Sequence, residues 1–194
     1  GPYQDSYSPN GIIGEKDACG VGFIANIKGI ESNWILKQSL KGLNCMEHRG
    51  GCGGDSDSGD GAGILCSIPW NYLEKEVNIE NIKEYDKGLG MIFMPNKKEK
   101  IEECKSICEE EAEKLKITKT SWRTVPVDNE ILGPLAKANA PFISQWILFI
   151  NKKDNDDIEK ILFQLRKRIE KKVRESFKNH VGDCEFYFAS LSSK

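Results

Sequence analysis

Cys19 opens the stretch Cys19-Gly20-Val21-Gly22-Phe23, at the mouth of an apolar alternation. Glycines beside it leave a thiol there little steric cover. A thiol with an ordinary pKa of about 8.5 becomes a nucleophile only once deprotonated, so such a site also needs a base close by. Read alone, these residues fit a buried structural cysteine as well, because free cysteine is among the most often buried residue types.

A second group runs from Glu47-His48-Arg49-Gly50 through Asp55, Asp57 and Asp60 to Gly61-Ala62-Gly63. As a calcium loop it fails. With Asp55 first and Asp57 third, the fifth position is Gly59, the sixth lacks glycine and the twelfth is Cys66 where a bidentate glutamate is needed. As a phosphate loop it also fails, since there is no Gly-Lys-Ser/Thr ending and three aspartates would repel phosphate. Cys45, His48, Cys52 and Cys66 allow a non-catalytic metal- or redox-binding module. Their spacings match no common zinc finger, and no paired Cys-x2-Cys knuckle is present. His180 near a helix end reads as a surface residue. Two histidines and no nucleophile elbow give no Ser-His-Asp arrangement.

The elements that must position these groups follow from periodicity. Val21, Phe23, Ala25 and Ile27 alternate as in a strand with one buried face. Ser32 and Asn33 can cap a helix carrying Leu36, Leu40 and Leu43 on one stripe, ending before Arg49-Gly50-Gly51. Six glycines between Gly50 and Gly61 make a long loop. Short strands are expected over 62–68 and 88–94, closed by Pro69 and Pro95, and over 122–127, 145–150 and 185–191. A helix over 97–115 lines up Ile101, Cys104, Cys108, Ala112 and Leu115, so the two cysteines fill an apolar stripe. A second long helix follows Asp154–Asp157 and places Ile158, Ile161, Leu162, Leu165, Ile169 and Val173 on one face. Acidic residues at its start and Lys171, Lys172 and Arg174 near its end suit the helix dipole. The sum is about six strands and three helices in a mixed α and β chain.

Composition narrows the classes. Lys and Arg total 28 against 30 Asp and Glu, which is not the basic excess of a nucleic-acid-binding domain. No apolar run approaches the roughly 20 residues of a membrane span, and no basic-then-apolar signal segment opens the chain. Seven cysteines, an odd number in a chain of this size, read as reduced thiols of an intracellular protein. Residues 1–18 are polar and turn-rich, and Gly1-Pro2 has the form of a protease-tag remnant.

Taken together, Asp17-Ala18-Cys19-Gly20-Val21-Gly22-Phe23-Ile24-Ala25, Glu47-His48-Arg49-Gly50-Gly51 and Gly59-Asp60-Gly61-Ala62-Gly63-Ile64 resemble the N-terminus of glutamate synthase, in the class-II glutamine amidotransferase domain of its large chain. Trp122 to Asn129 with Leu132-Gly133, and Phe186 to Ser193, are similar to later stretches of that family. The resemblance implies an α+β, N-terminal-nucleophile hydrolase fold, a four-layer αββα sandwich that would be incomplete and truncated at the C-terminus here. It divides the chain into a propeptide, 1–18, and the N-terminal portion of an amidotransferase domain, 19–194. Cleavage between Ala18 and Cys19 would free the α-amine of Cys19 to act as general base for its own thiol. Arg49, Gly50, Asp60 and Gly61 would support the nucleophile loop, the glycine run letting backbone pack tightly beside it.

The same resemblance implies glutamine as substrate and ammonia passed to synthase domains that make glutamate from 2-oxoglutarate. Those domains would bear FMN and an iron–sulfur cluster, with none in this fragment, and a small NAD(P)H-oxidising subunit or domain is a further implied partner. No nucleic acid, membrane or metal is expected as a ligand, and the compartment is cytoplasmic or a plastid-like organelle. The family's carboxylate-gripping arginine, Asn-Gly oxyanion pair and amine-binding aspartate fall beyond Lys194. Each lost oxyanion donor costs about 2.7–4 kcal/mol in barrier, so the chain as given is expected to have negligible glutaminase activity. Another class-II amidotransferase, feeding a sugar or phosphoribosyl acceptor, shares the Glu-His-Arg-Gly element; Trp122 to Asn129 favours glutamate synthase.

Overall fold

The computed structural model describes residues 20–46, 61–77, 82–152, 157–177 and 186–194. In chain order the elements are α1 (Asn33–Asn44), α2 (Trp70–Glu76), β1 (Tyr85–Met94), α3 (Lys98–Lys114), β2 (Lys119–Thr124), α4 (Pro134–Ala138), β3 (Phe142–Asn151), α5 (Ile158–Ser176) and β4 (Tyr187–Ser192). They fall into two units, residues 1–66 with 132–138, and residues 67–131 with 139–194.

The second unit is built on one four-stranded antiparallel sheet of order β2-β3-β1-β4. β1 and β3 pair along their whole length, from Tyr85 opposite Asn151 to Met94 opposite Phe142. β1 and β2 both run antiparallel to β3, so they are parallel to each other and need a crossover, which α3 supplies. β3 and β4 are related in the same way across β1, and α5 is their crossover. Two interleaved crossovers of this kind are the split βαβ arrangement. The chain is mixed α and β, as its periodicity predicts, and its sheet is antiparallel.

Both crossover helices lie on the same face of the sheet. Cys104, Cys108 and Ala112 of α3 and Leu162, Leu165, Ile169 and Val173 of α5 close over Ile92, Met94, Trp146, Leu148 and Phe188 in one core. A smaller cluster on the other face joins Leu73 of α2 to Leu89, Ile147 and Phe149. Burial on both faces explains why β3 reads as a continuous apolar run where a one-sided strand would alternate. Gly88 marks the closest approach of α5 to the sheet, since a Cβ there would lie 2.8 Å from Leu162 Cδ2. Ion pairing sets the helices against each other. Glu111 of α3, almost fully buried, accepts from Arg168 Nε of α5 at 2.8 Å and pairs with Lys114. Ser176 Oγ donates to Glu103 at 2.6 Å, so the two helices run antiparallel.

The long helices match their sequence signals closely. Asp157 caps α5 by accepting from the Lys160 N–H at 3.2 Å. Periodicity places β2 three residues too late, because Pro126 has no N–H to offer and the strand ends at Thr124. α2 and α4 are too short to show a period, and sequence reasoning missed both.

In the first unit Ser32 caps α1, accepting from the Ile35 N–H at 3.4 Å, as expected. The two strands expected before and after it are not formed. Residues 20–26 and 61–68 are irregular, and Val21 and Phe23 are 96% and 94% exposed. Alternation supplies a strand's side-chain pattern but not the ladder partner that satisfies its N–H and C=O groups. All ladder pairs among the described residues lie within the four strands of the other unit.

Candidate active site

Of the sequence-predicted site residues, Ala18, Cys19, Arg49, Gly50 and Asp60 lie outside the described residues, as do the proposed ligands His48 and Cys52 and also His180. Their immediate neighbours are described, and these bring two of the singled-out segments together. Gly20-Val21-Gly22 leads directly from Cys19. α1 leads to the other segment, with Cys45 as its C-cap and Met46 immediately before Glu47-His48-Arg49-Gly50. A Cβ on Gly22 would stand 3.0 Å from Met46 Cε. That is tighter than most side-chain contacts, so the absence of a side chain at Gly22 eases the fit of the residues after Cys19 beside those before Arg49; a Cβ there would require the flexible end of Met46 to shift by a few tenths of an ångström.

The glycine run near Asp60 behaves differently from expectation where it is described. A Cβ on Gly61 or Gly63 would meet nothing within 4 Å, so neither glycine there is required for close approach. Gly61 has φ +90°, a backbone conformation that side-chain-bearing residues rarely adopt. The backbone conformation, not crowding, therefore calls for glycine at this position.

Two other motif segments lie in the second unit, and the structure gives both an architectural account. Trp122 stacks on Trp146 with ring centroids 5.2 Å apart. Both indole N–H groups donate to Glu109 Oε1 of α3, at 2.6 Å and 3.2 Å, and the Thr120 hydroxyl donates to the same carboxylate at 2.8 Å. The neighbouring Arg123 points to the opposite face. There it donates to Gln145 Oε1 at 2.9 Å and to the Tyr72 hydroxyl at 3.0 Å, and stands 3.5 Å from Glu76. In Phe186 to Ser193, Arg166 Nη2 donates to the Phe188 carbonyl at 2.9 Å, beside the register shift of β4. Glu159 accepts from the Ser193 N–H at 2.8 Å and from the Ser192 and Ser193 hydroxyls. Trp70 Nε1 donates to the Ser193 carbonyl at 3.4 Å. Burial pushes the Glu159 carboxyl up, but the hydrogen bonds from Ser193 and Ser192 and the nearby Lys194 charge outweigh it and hold the group below the usual carboxylate range.

Sequence reasoning missed Glu109, Glu159 and Tyr72. Glu109 and Glu159 lie on helices that the sequence marks only by their apolar stripes and end charges, Tyr72 lies on a helix that sequence reasoning missed, and no local spacing reveals a partner far along the chain.

Cys45 and Cys66 are exposed free thiols, while Cys104 and Cys108 are buried. Burial pushes the Cys108 thiol well up, and the neighbouring Cys104 and Glu109 add to the shift. These two helical cysteines are core residues. No group of three or more metal-ligating side chains occurs among the described residues. No helix among them is long and apolar enough to cross a membrane.

The family model of class-II glutamine amidotransferases matches residues 19–194, opening on Cys19. The chain is 43% identical over 188 residues to ferredoxin-dependent glutamate synthase 1 of Arabidopsis thaliana, described as chloroplastic/mitochondrial, covering 94% of this chain and 11% of that relative. It is 39% identical to the chloroplastic ferredoxin-dependent glutamate synthase of Oryza sativa, over 100% of this chain and 12% of the relative. A ferredoxin-dependent glutamate synthase 2 of Synechocystis is 41% identical over 86% of this chain and 11% of its own length. The chain thus spans about a ninth of these relatives.

Proposed function

Because this chain belongs to the class-II glutamine amidotransferase family, we propose that it is the N-terminal part of the glutaminase domain of a glutamate synthase, with Cys19 as nucleophile. The observation that carries this reading is the family match that opens on Cys19. The approach of Gly22 to Met46, which sets the Cys19 and Arg49 segments side by side, supports it.

The chemistry follows from one residue holding two groups. Cleavage after Ala18 frees the Cys19 α-amine, whose pKa of about 7.7–8.0 lies close to that of the thiol. The amine takes the thiol proton directly or through one water, and being on the same residue it needs little further ordering. The thiolate attacks the glutamine carboxamide carbon and gives a tetrahedral oxyanion. The C–N bond then breaks, and the leaving nitrogen takes the proton and departs as ammonia. A glutamyl thioester remains on Cys19, and water cleaves it to glutamate and the free thiol. Arg49, Gly50, Asp60 and Gly61 shape the loop that presents Cys19, with Gly61 supplying the turn.

Ammonia then passes to the remaining synthase domains. FMN and an iron–sulfur cluster belong to those domains. Among the described residues the cysteines are either exposed or sealed in the core, an arrangement that does not fit the ligand set of an iron–sulfur cluster. The relatives' names carry ferredoxin dependence, which makes ferredoxin the electron donor on this reading in place of a small NAD(P)H-oxidising subunit, and makes a plastid-like or cytoplasmic setting the expected one. The family's four-layer αββα sandwich would use Val21, Phe23, Ala25 and Ile27 in its second sheet, and the uncovered apolar side chains of that segment support this.

The test is made on the full-length protein. Mass analysis should find a mature chain starting at Cys19, and diazo-oxo-norleucine should add one glutamine-mimic adduct on it. Cys19→Ser should abolish glutamine-dependent synthesis while ammonia-dependent synthesis persists. An unprocessed, unlabelled Cys19 in an active enzyme overturns the proposal.

A further inference from the structure

β2 and β3 are adjacent antiparallel strands, a pair that a hairpin loop of about 2–5 residues can join. Their connection instead runs for 17 residues, 125–141. Its two feet are held in the second unit. The Val125 N–H donates to the Ile143 carbonyl at 3.1 Å, and the buried Ser144 hydroxyl donates to the Arg123 carbonyl at 3.2 Å. Trp122, just before the first foot, donates to Glu109. Pro126, Pro134 and Pro141 each fix a backbone angle along the way. The middle of the connection, residues 132–138, belongs by its packing to the first unit, with residues 1–66.

This middle stretch packs with its small residues inward. Gly133 is buried and Ala136, three positions on, is half-buried, whereas Leu132 and Leu135 are 36% and 47% exposed. A turn of helix recruited only to fill a core would bury its leucines. Burying the glycine brings backbone close to whatever it packs on. The described remainder of the first unit has little bracing of its own. α1 buries none of its residues, and Val21 and Phe23 stand in solvent.

We propose, resting on the assignment of Cys19 as nucleophile, that residues 132–138 are a positioning element for it. They form the tip of an arm of the sheet that steadies the unit presenting the thiol, and Gly133 is the positioning residue of that tip. The arm starts and ends on paired strands and is stiffened by prolines, so it carries the order of the sheet to a unit whose described residues form no ladder. Its action is on where the sulfur stands and not on how glutamine is held. A reacting atom displaced by about 1 Å loses about a hundredfold in rate, so crowding at Gly133 is expected in kcat and not in KM.

The test uses the full-length protein and two readouts, the rate at which diazo-oxo-norleucine modifies Cys19 and the kinetics of synthesis from glutamine and from ammonia. Gly133→Val should lower the labelling rate and the glutamine-dependent kcat at least about tenfold, with Gly133→Ala between it and the parent. KM for glutamine and ammonia-dependent synthesis should stay within about twofold of the parent. Near-UV circular dichroism of the stacked tryptophans should not change. Ala136→Leu, crowding the same inward side, should repeat the pattern. Ile131→Ser, on a residue 79% exposed just before the tip, should behave as the parent. Parent-like labelling in both Gly133→Val and Ala136→Leu overturns the proposal. So does an equal loss of ammonia-dependent synthesis, or a raised KM with kcat unchanged. A parent enzyme active with glutamine but unlabelled at Cys19 overturns the nucleophile assignment and this inference with it, whereas a labelled parent with indifferent variants overturns this inference alone.

Discussion

Glu109 is the polar side chain on which the two stacked indoles of the second unit converge. Its carboxylate accepts from Trp122 Nε1, Trp146 Nε1 and Thr120 Oγ1. Trp146 is fully buried, so Glu109→Ala leaves its N–H without a partner where water does not reach, at about 1–3 kcal/mol. Trp122 and Thr120 are half-buried and can take water, which limits their part to about 1 kcal/mol together. The expected loss is about 2–4 kcal/mol. Glu109→Gln keeps a carbonyl oxygen for both indoles and removes the desolvated charge, so it should cost no more than about 1 kcal/mol. Urea unfolding followed by tryptophan emission gives the free energies. Near-UV circular dichroism reports the stacked pair, whose planes lie 13° apart. If Glu109→Ala stays within about 0.5 kcal/mol of the parent, or Glu109→Gln costs as much as Glu109→Ala, the carboxylate does not organise the two indoles.

Further outcomes follow from the same packing. Gly88→Ala places a methyl 2.8 Å from Leu162 Cδ2 and should cost about 1–3 kcal/mol; combined with Leu162→Ala the pair should cost clearly less than the sum of the singles in a double-mutant cycle. Iodoacetamide followed by peptide mapping should modify Cys45 and Cys66 in the native protein and reach Cys104 and Cys108 only on unfolding; modification of Cys108 at the rate of Cys45 would refute the core assignment. At Glu111, burial raises the carboxyl but hydrogen bonds and charge from Lys114 and Arg168 outweigh it and leave the pKa below the ordinary value. A group lowered on folding stabilises the protein above its unfolded pKa of about 4.3, and that contribution is lost as pH falls through the folded value. Glu111→Gln should therefore flatten the acid side of the stability profile measured by thermal unfolding, and an unchanged acid limb would count against the pairing. Residues 67–194 expressed alone should unfold cooperatively in urea, because both crossovers and all four strands lie within them; a non-cooperative transition would show that the sheet needs the first unit.

What the sequence makes legible divides along the range of the forces involved. α3 and α5 can be read from it because their caps and stripes are local, set within four residues by the helical repeat. β3 can be read as a strand, but not its two-sided burial, which depends on α2 arriving from more than 70 positions upstream. The charged partners escape for the same reason. Glu109 and Trp146 are 37 positions apart, Glu111 and Arg168 are 57, and no periodicity links them.

The segment after Cys19 shows the converse. Its alternation is as regular as that of any formed strand, yet Val21 and Phe23 stand in solvent. A helix closes its own hydrogen bonds, whereas a strand borrows half of them from a neighbour, so apolar alternation records what a segment is prepared to pair with. The segment after Cys19 therefore carries a pairing pattern in its side chains. The glycine at position 22 admits Met46 at a distance tighter than most side-chain contacts, and so eases the approach of the two stretches that carry the proposed chemistry. Gly22→Val in the full-length protein should separate them and lower glutamine-dependent turnover while sparing ammonia-dependent synthesis. Equal loss of both activities would mean that the glycine serves folding in general and not the placement of Cys19.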